Sequence, residues 1–241
     1  MGRVPLEIGH GTDQTRVMVQ ASLVSIPVDG VRVAGDLGIP PAATGMVLFA
    51  HGSGSSRRSR RNRYVAAELQ QAGLATLLMD LLTPAEERLD EESGGRLRFD
   101  IGLLARRLEA ASSWLAGSPE TARLRLAYFG ASTGAAAALV AASEWTGAVG
   151  AIVSRGGRPD LAGPALGAVR APTLLVVGGD DHAVIPLNRR ALDRLRCEKR
   201  LEIVPGATHL FEEPGTLERV AELAAGWFGR HLRAADARPG G

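Results

Sequence analysis

The stretch Leu124-Arg-Leu-Ala-Tyr-Phe-Gly-Ala-Ser-Thr-Gly-Ala-Ala-Ala-Ala-Leu139 constrains this chain more than any other. Its first half is strand-like, because Leu126, Tyr128 and Phe129 are bulky and apolar or aromatic. Its second half is an alanine-rich run that favours helix. Between them lies Gly130-Ala131-Ser132-Thr133-Gly134, a G-x-S-x-G. A link this short between strand and helix requires a sharp turn with Ser132 at its apex. The flanking glycines let neighbouring backbone approach without a Cβ. The helix N-terminus offers unpaired N–H groups and a positive dipole end to a developing oxyanion. In a chain with 30 glycines the pentapeptide alone says little, and an ordinary strand-to-helix turn is the alternative. The strand before it and the helix after it give it meaning.

The rest of the chain repeats that alternation. Leu23 to Pro27 and Val31 to Leu37 read as two strands about an Asp29-Gly30 hairpin turn. Met46 to Ala50, Leu74 to Met79, Val149 to Ser154, Thr173 to Val177 and Arg200 to Val204 read as short buried strands. Helices are expected over Arg61 to Ala72, over Asp100 to Leu115 with Asp100 as N-cap, over Leu187 to Leu195 and over Leu217 to Leu232. This order predicts an α/β fold. A mostly parallel central sheet carries helices on both faces, and the two opening strands form an antiparallel edge. One domain over 1–241 is expected, with a core of about 23–232 and frayed termini, Ala234 to Gly241 among them.

Ligands of open α/β sheets sit at the carboxyl ends of the strands, so the chemistry is expected in those loops. Gly178-Gly179-Asp180-Asp181-His182 follows one strand, and Pro205-Gly-Ala-Thr-His209 follows the last. With Ser132 they give the order Ser, Asp, His, which is that of α/β-hydrolases. A serine hydroxyl is a poor nucleophile until a base removes its proton. His209 supplies that base near neutral pH, and a buried carboxylate fixes its tautomer. Asp181 is preferred to the adjacent Asp180, and His209 to His182. His10 and His231 lie in terminal segments. Cys197 is read as a small buried hydrophobe, so no internal disulfide is expected. After Met46 to Ala50 comes His51-Gly52-Ser53-Gly54, where a second oxyanion donor is expected. The backbone N–H groups of Ser53 and Thr133 are the two candidates, and His51 either orients that loop or touches substrate.

His51-Gly-Ser-Gly, Gly130-Ala-Ser-Thr-Gly, Gly178-Gly-Asp-Asp-His-Ala-Val184 and Pro205-Gly-Ala-Thr-His209 together resemble the α/β-hydrolase superfamily. The nearest branch is the small, lidless dienelactone hydrolase-like proteins, and the resemblance runs from about 23 to 232. It implies an α/β-hydrolase fold with Ser132 as nucleophile, Asp181 as acid and His209 as base. It further implies an oxyanion hole from Ser53 and Thr133. The branch's namesake enzymes use cysteine at the elbow. Ser132 here moves the expectation to a serine carboxylesterase of small to medium esters.

The connection from Arg155 to Pro172 is too short for a helical cap, so an open site without a cap domain is expected. Thr83 to Phe99 reads as a solvated connection or a flap. Arg57, Arg58, Arg60, Arg61 and Arg63 form a charge cluster at the start of a helix, where positive charge opposes the dipole. It is read as a solvated face or as an anion site, and Arg155 as a substrate carboxylate anchor. All but one of the 28 basic residues are arginine, and net charge is only +2, so nothing global calls for nucleic acid. No run reaches membrane-spanning length and no signal pattern opens the chain, so a cytoplasmic protein with no membrane partner is expected. No metal or cofactor is expected. A thioesterase or peptidase with the same three residues, or a non-catalytic module on the same fold, are the alternatives.

Overall fold

The computed structural model describes residues 19–233; His10 and the expected fraying of 234–241 lie outside them. The strands are β1 (Ser22–Val28), β2 (Val31–Gly38), β3 (Met46–Ala50), β4 (Ala75–Met79), β5 (Leu126–Ala131), β6 (Val149–Arg155), β7 (Thr173–Gly178) and β8 (Lys199–Val204). The helices are α1 (Arg60–Gln71), α2 (Pro84–Glu92), α3 (Ile101–Gly117), α4 (Thr133–Glu144), α5 (Ile185–Arg194) and α6 (Thr216–Leu232). One sheet runs in the order β1-β2-β4-β3-β5-β6-β7-β8. β1 and β2 form the expected antiparallel hairpin, turning through Asp29 and Gly30, both at positive φ. β2 joins β4 antiparallel, and every pairing from β4 to β8 is parallel.

The central strands are apolar throughout because both faces are covered. Val47, Phe49, Ala127, Phe129, Ala151 and Val153 face α1 and α6, and the Phe49 and Phe129 rings stack with centroids 4.8 Å apart. Leu48, Tyr128, Ile152 and Leu175 face α3, α4 and α5 on the other side. From β3 the chain turns into α1 on one face; from the adjacent β5 it turns into α4 on the other. The carboxyl ends of these two strands therefore open a crevice, the usual ligand position in such sheets. No described helix is long and apolar enough to cross a membrane.

Thr83 to Phe99 is largely exposed, as a solvated connection would be, but it is folded into a helix and a 3-10 turn that line a cleft beside Ser53. Thr83 caps α2 through a full capping box: its hydroxyl accepts from Glu86 N–H, and the Glu86 carboxylate accepts from Thr83 N–H. Buried Asp90 then gathers the backbone N–H groups of Leu97 and Arg98 and the Arg98 guanidinium, folding a 3-10 turn back over the helix. Between β6 and β7 lie only 3-10 turns over Pro159–Gly167.

Candidate active site at the carboxyl ends of the central strands

Ser132 sits at φ 51°, ψ −121°, a conformation that costs a non-glycine residue and persists only where surroundings enforce it. They do so here. Ser132 N–H donates to Arg155 O (3.3 Å), and Ser132 O accepts from Ala135 N–H and Arg158 N–H (both 3.1 Å). Gly134 is required by close approach: a Cβ there would stand 2.3 Å from Ala50 O and 2.4 Å from His51 O. The elbow is thus pressed against the end of β3.

His209 Nδ1 donates to Asp181 Oδ2 at 2.7 Å. The Asp181 side chain is 8% exposed and that of His209 38%. Asp180 and His182 are exposed, so of the residues weighed from the sequence, the structure brings Asp181 and His209 together. The two loops are stitched by Gly179 N–H to Val204 O (2.8 Å) and Asp180 N–H to Ala207 O (2.9 Å). A bond from Nδ1 leaves Nε2 with its lone pair, and Nε2 has no protein partner among the described residues. The turn after β6 touches both halves of the site. Arg155 O holds Ser132 N–H, and a Cβ on Gly156 would lie 3.6 Å from His209 Cε1.

Glu213 was not singled out in the sequence. Its carboxylate accepts from Thr208 N–H (3.0 Å) and Thr208 Oγ1–H (2.6 Å), bracing the residue before His209. Those hydrogen bonds hold the Glu213 carboxyl below its ordinary range. A glutamate four residues past a histidine is no motif, so only the folded loop reveals it.

The oxyanion loop differs from expectation in two ways. His51 does not offer itself to substrate, because both ring nitrogens are used within the protein. Nε2 accepts from Leu81 N–H (3.0 Å), which fixes the proton on Nδ1, facing Gly52 O at 2.9 Å. Burial lowers its pKa, against the opposing pull of Gly52 and Asp80. Secondly, Ser53 N–H is not free: it donates to Thr133 Oγ1 at 2.9 Å. Thr133 thus brings a side-chain acceptor to the site as well as a backbone donor.

Beside this loop lies a cleft of about 390 Å³, walled by Ser53, Arg58, Leu81, Leu82 and Glu87. It opens against the Gly52-Ser53 turn, whose other side meets the elbow: a Cβ on Gly52 would stand 3.7 Å from Ser132 Oγ. The arginine cluster is partly spent in pairs. Arg57 donates to Asp80 from its backbone N–H (2.8 Å) and Nη1 (2.7 Å), and reaches Asp36 at 3.4 Å. Arg61 pairs with Glu212 at 2.8 Å. Arg155, expected as a substrate carboxylate anchor, is 7% exposed and turns inward. Its Nη2 donates to Asn62 Oδ1 at 3.4 Å, and its guanidinium lies 6.0 Å from the Phe211 ring centre.

Comparison with known proteins places this arrangement. The dienelactone hydrolase family model matches residues 33–231. A dienelactone hydrolase from Anabaena variabilis, solved by crystallography, is 60% identical with a TM-score of 0.87, covering 89% of this chain and 99% of that one. A Mycobacterium tuberculosis protein named "Putative phosphoribosyl transferase Rv0571c" is 59% identical over 209 residues, which are 87% of this chain and 46% of that protein. The chain therefore spans about half the length of that curated relative. Est1E from Butyrivibrio proteoclasticus, 16% identical with a TM-score of 0.72 over 87% of this chain and 98% of that one, shares the fold. With the family model spanning most of its length, the chain belongs to the dienelactone hydrolase family and has the α/β-hydrolase fold.

Proposed function

We propose that this chain is a cofactor-free serine carboxylesterase acting on small to medium esters. The observation that carries the reading is the 2.7 Å bond from His209 Nδ1 to Asp181, beside a serine held at φ 51°. Ser132 Oγ attacks the acyl carbon as its proton passes to His209 Nε2. Asp181 stabilises the imidazolium and keeps the ring oriented. The tetrahedral oxygen is met by Thr133 N–H at the start of α4, and by Ser53 N–H once the Thr133 hydroxyl turns away. Each such donor lowers the barrier by roughly 3–4 kcal/mol. His209 then protonates the departing alkoxide, leaving an acyl group on Ser132. A water activated by His209 releases the acid. The cleft beside Ser53 would take one arm of the ester.

Phosphoribosyl transfer, named for Rv0571c, is not carried over, since this chain corresponds to 46% of that protein and matches a hydrolase family model. The test uses p-nitrophenyl acetate and butyrate. Wild type should show an initial burst of p-nitrophenol and label with a fluorophosphonate. Ser132→Ala should lose both, with kcat/KM down at least about 10³-fold and the fold unchanged. Wild-type turnover by Ser132→Ala would remove Ser132 from the mechanism.

A further inference from the structure

Arg155 carries a buried positive charge that no carboxylate of the described residues offsets. Its Nε and Nη1 lack hydrogen-bond acceptors, as does the buried Nε of Arg61. The two guanidinium groups repel each other: burial, and then Arg61, lower the Arg155 pKa to about 10. Arg61 lies in the first turn of α1, a twelve-residue helix, and the Arg155 side chain reaches that turn from the end of β6. Arg61 is the helix's second residue, and Asn62, the third, is what Arg155 Nη2 touches. The helix N-terminus adds its own positive end. Arg61 is paired with Glu212 through Nη1 toward the surface, but Arg155 has no carboxylate partner among the described residues. A buried ion left so is among the costliest features a fold can hold unless an opposite charge joins it.

We infer that Arg155 and Arg61, at the first turn of α1, form a buried site for one small anion, a halide or a carboxylate the size of formate. The class follows from space and charge. The orphan N–H groups are closed to the surface, which favours a small anion over a phosphate monoester or a substrate side chain. The acceptors present, Asn62 Oδ1 and the Glu212 carboxylate, are already engaged by Arg155 and Arg61, and the orphan groups are all donors, so a cation or a neutral acceptor-poor ligand gains nothing. The site lies behind the elbow and not in the cleft. Its backbone link is Arg155 O on Ser132 N–H, and its ring contact is Phe211, two residues after His209.

The test reads stability and so does not depend on which residue is the nucleophile. Thermal unfolding of the whole chain is followed at constant ionic strength, replacing sodium gluconate with chloride, bromide, formate or phosphate. Chloride or formate should raise the unfolding midpoint saturably, by roughly 5–10 °C at a hundredfold excess over Kd. Gluconate and phosphate should not. Arg155→Met should abolish the rise. Should that variant not fold, Arg61→Gln, which keeps Arg155, should weaken the apparent Kd about tenfold. Equal midpoints in all five salts, gluconate included, would mean that water alone meets these donors. An equal rise in wild type and the arginine variants would mean general salt stabilisation. Either result overturns the site.

Discussion

The loops that leave β3 and β6 flank the same serine, yet they treat their polar groups in opposite ways. After β3, the groups are closed on one another: His51 spends both ring nitrogens, Ser53 N–H meets Thr133, and Arg57 is clasped by Asp80. At the end of β6, Arg155 keeps two donors without acceptors, and Ser154 Oγ, fully buried, has none either. The first loop is a satisfied scaffold for an oxyanion. The second places uncompensated charge behind the nucleophile. A satisfied network rigidifies, while an unsatisfied one stores cost that some ligand or function must offset. The two loops should therefore respond differently to the same kind of substitution.

Gly134→Ala probes the β3 side, and the largest effect is expected there. Its Cβ would collide with two backbone oxygens, of Ala50 and His51, which have no flexible end to move aside. A loss of about 3 kcal/mol or more is expected, or about 6–12 °C in the unfolding midpoint. Gly156→Ala probes the β6 side. There the new Cβ stands 3.0 Å from His209 O, also a backbone oxygen but farther off than those facing Gly134, and at φ +50° the substitution costs about 1–2 kcal/mol. If thermal unfolding ranks Gly156→Ala as the more damaging, the contrast in rigidity fails.

His51 gives the next effect, and it depends on pH. Removing the ring in His51→Ala leaves Leu81 N–H without its acceptor, at a cost of about 1–3 kcal/mol at pH 8. Burial holds the folded pKa below 6.5, so as pH falls the unfolded chain takes up this proton first. The His51 contribution is therefore complete above about pH 6.5 and drains away as pH drops toward the folded value. Protonation also puts a hydrogen on Nε2, where Leu81 N–H needs a lone pair. Denaturant unfolding of wild type and His51→Ala across pH 5–8 should show their gap closing toward acid. A gap that stays constant would mean the histidine is not held neutral.

Much of this was legible in the sequence, and what was not has identifiable causes. Strand ends are marked by a switch from apolar runs to glycine-rich turns, so the loops bearing Ser132, Asp181 and His209 could be located by reading along the chain. Asp29-Gly30 announced the hairpin for the same local reason. Arg155 was misread because β6 runs one residue further than its apolar run. Side chains alternate along a strand, so that residue shares the face of Ala151 and Val153 and points toward α1. The folding inside Thr83 to Phe99 was not legible because it hinges on Asp90, whose partners Leu97 and Arg98 lie beyond the helix it belongs to. Acidic composition describes a solvated segment until one carboxylate finds buried donors, and that is a tertiary event.

Thr133→Val gives the smallest effect and bears most directly on the contrast. Valine keeps the shape of threonine but removes the acceptor of Ser53 N–H. If the β3 loop is a scaffold, loss of that one bond should cost about 1 kcal/mol of stability, seen as a small fall in the unfolding midpoint. On the proposed mechanism the same change helps catalysis. The substrate oxygen no longer competes with the Thr133 hydroxyl, so kcat/KM for p-nitrophenyl butyrate should rise by about 2–10-fold, the free-energy worth of one such bond. Thr133→Ser, which retains the hydroxyl, should behave as wild type in both assays. A fall in kcat/KM of more than tenfold at unchanged stability would reverse the assignment. The hydroxyl would then itself be donating to the oxyanion, and the loop after β3 would be an active participant in place of a rigid support.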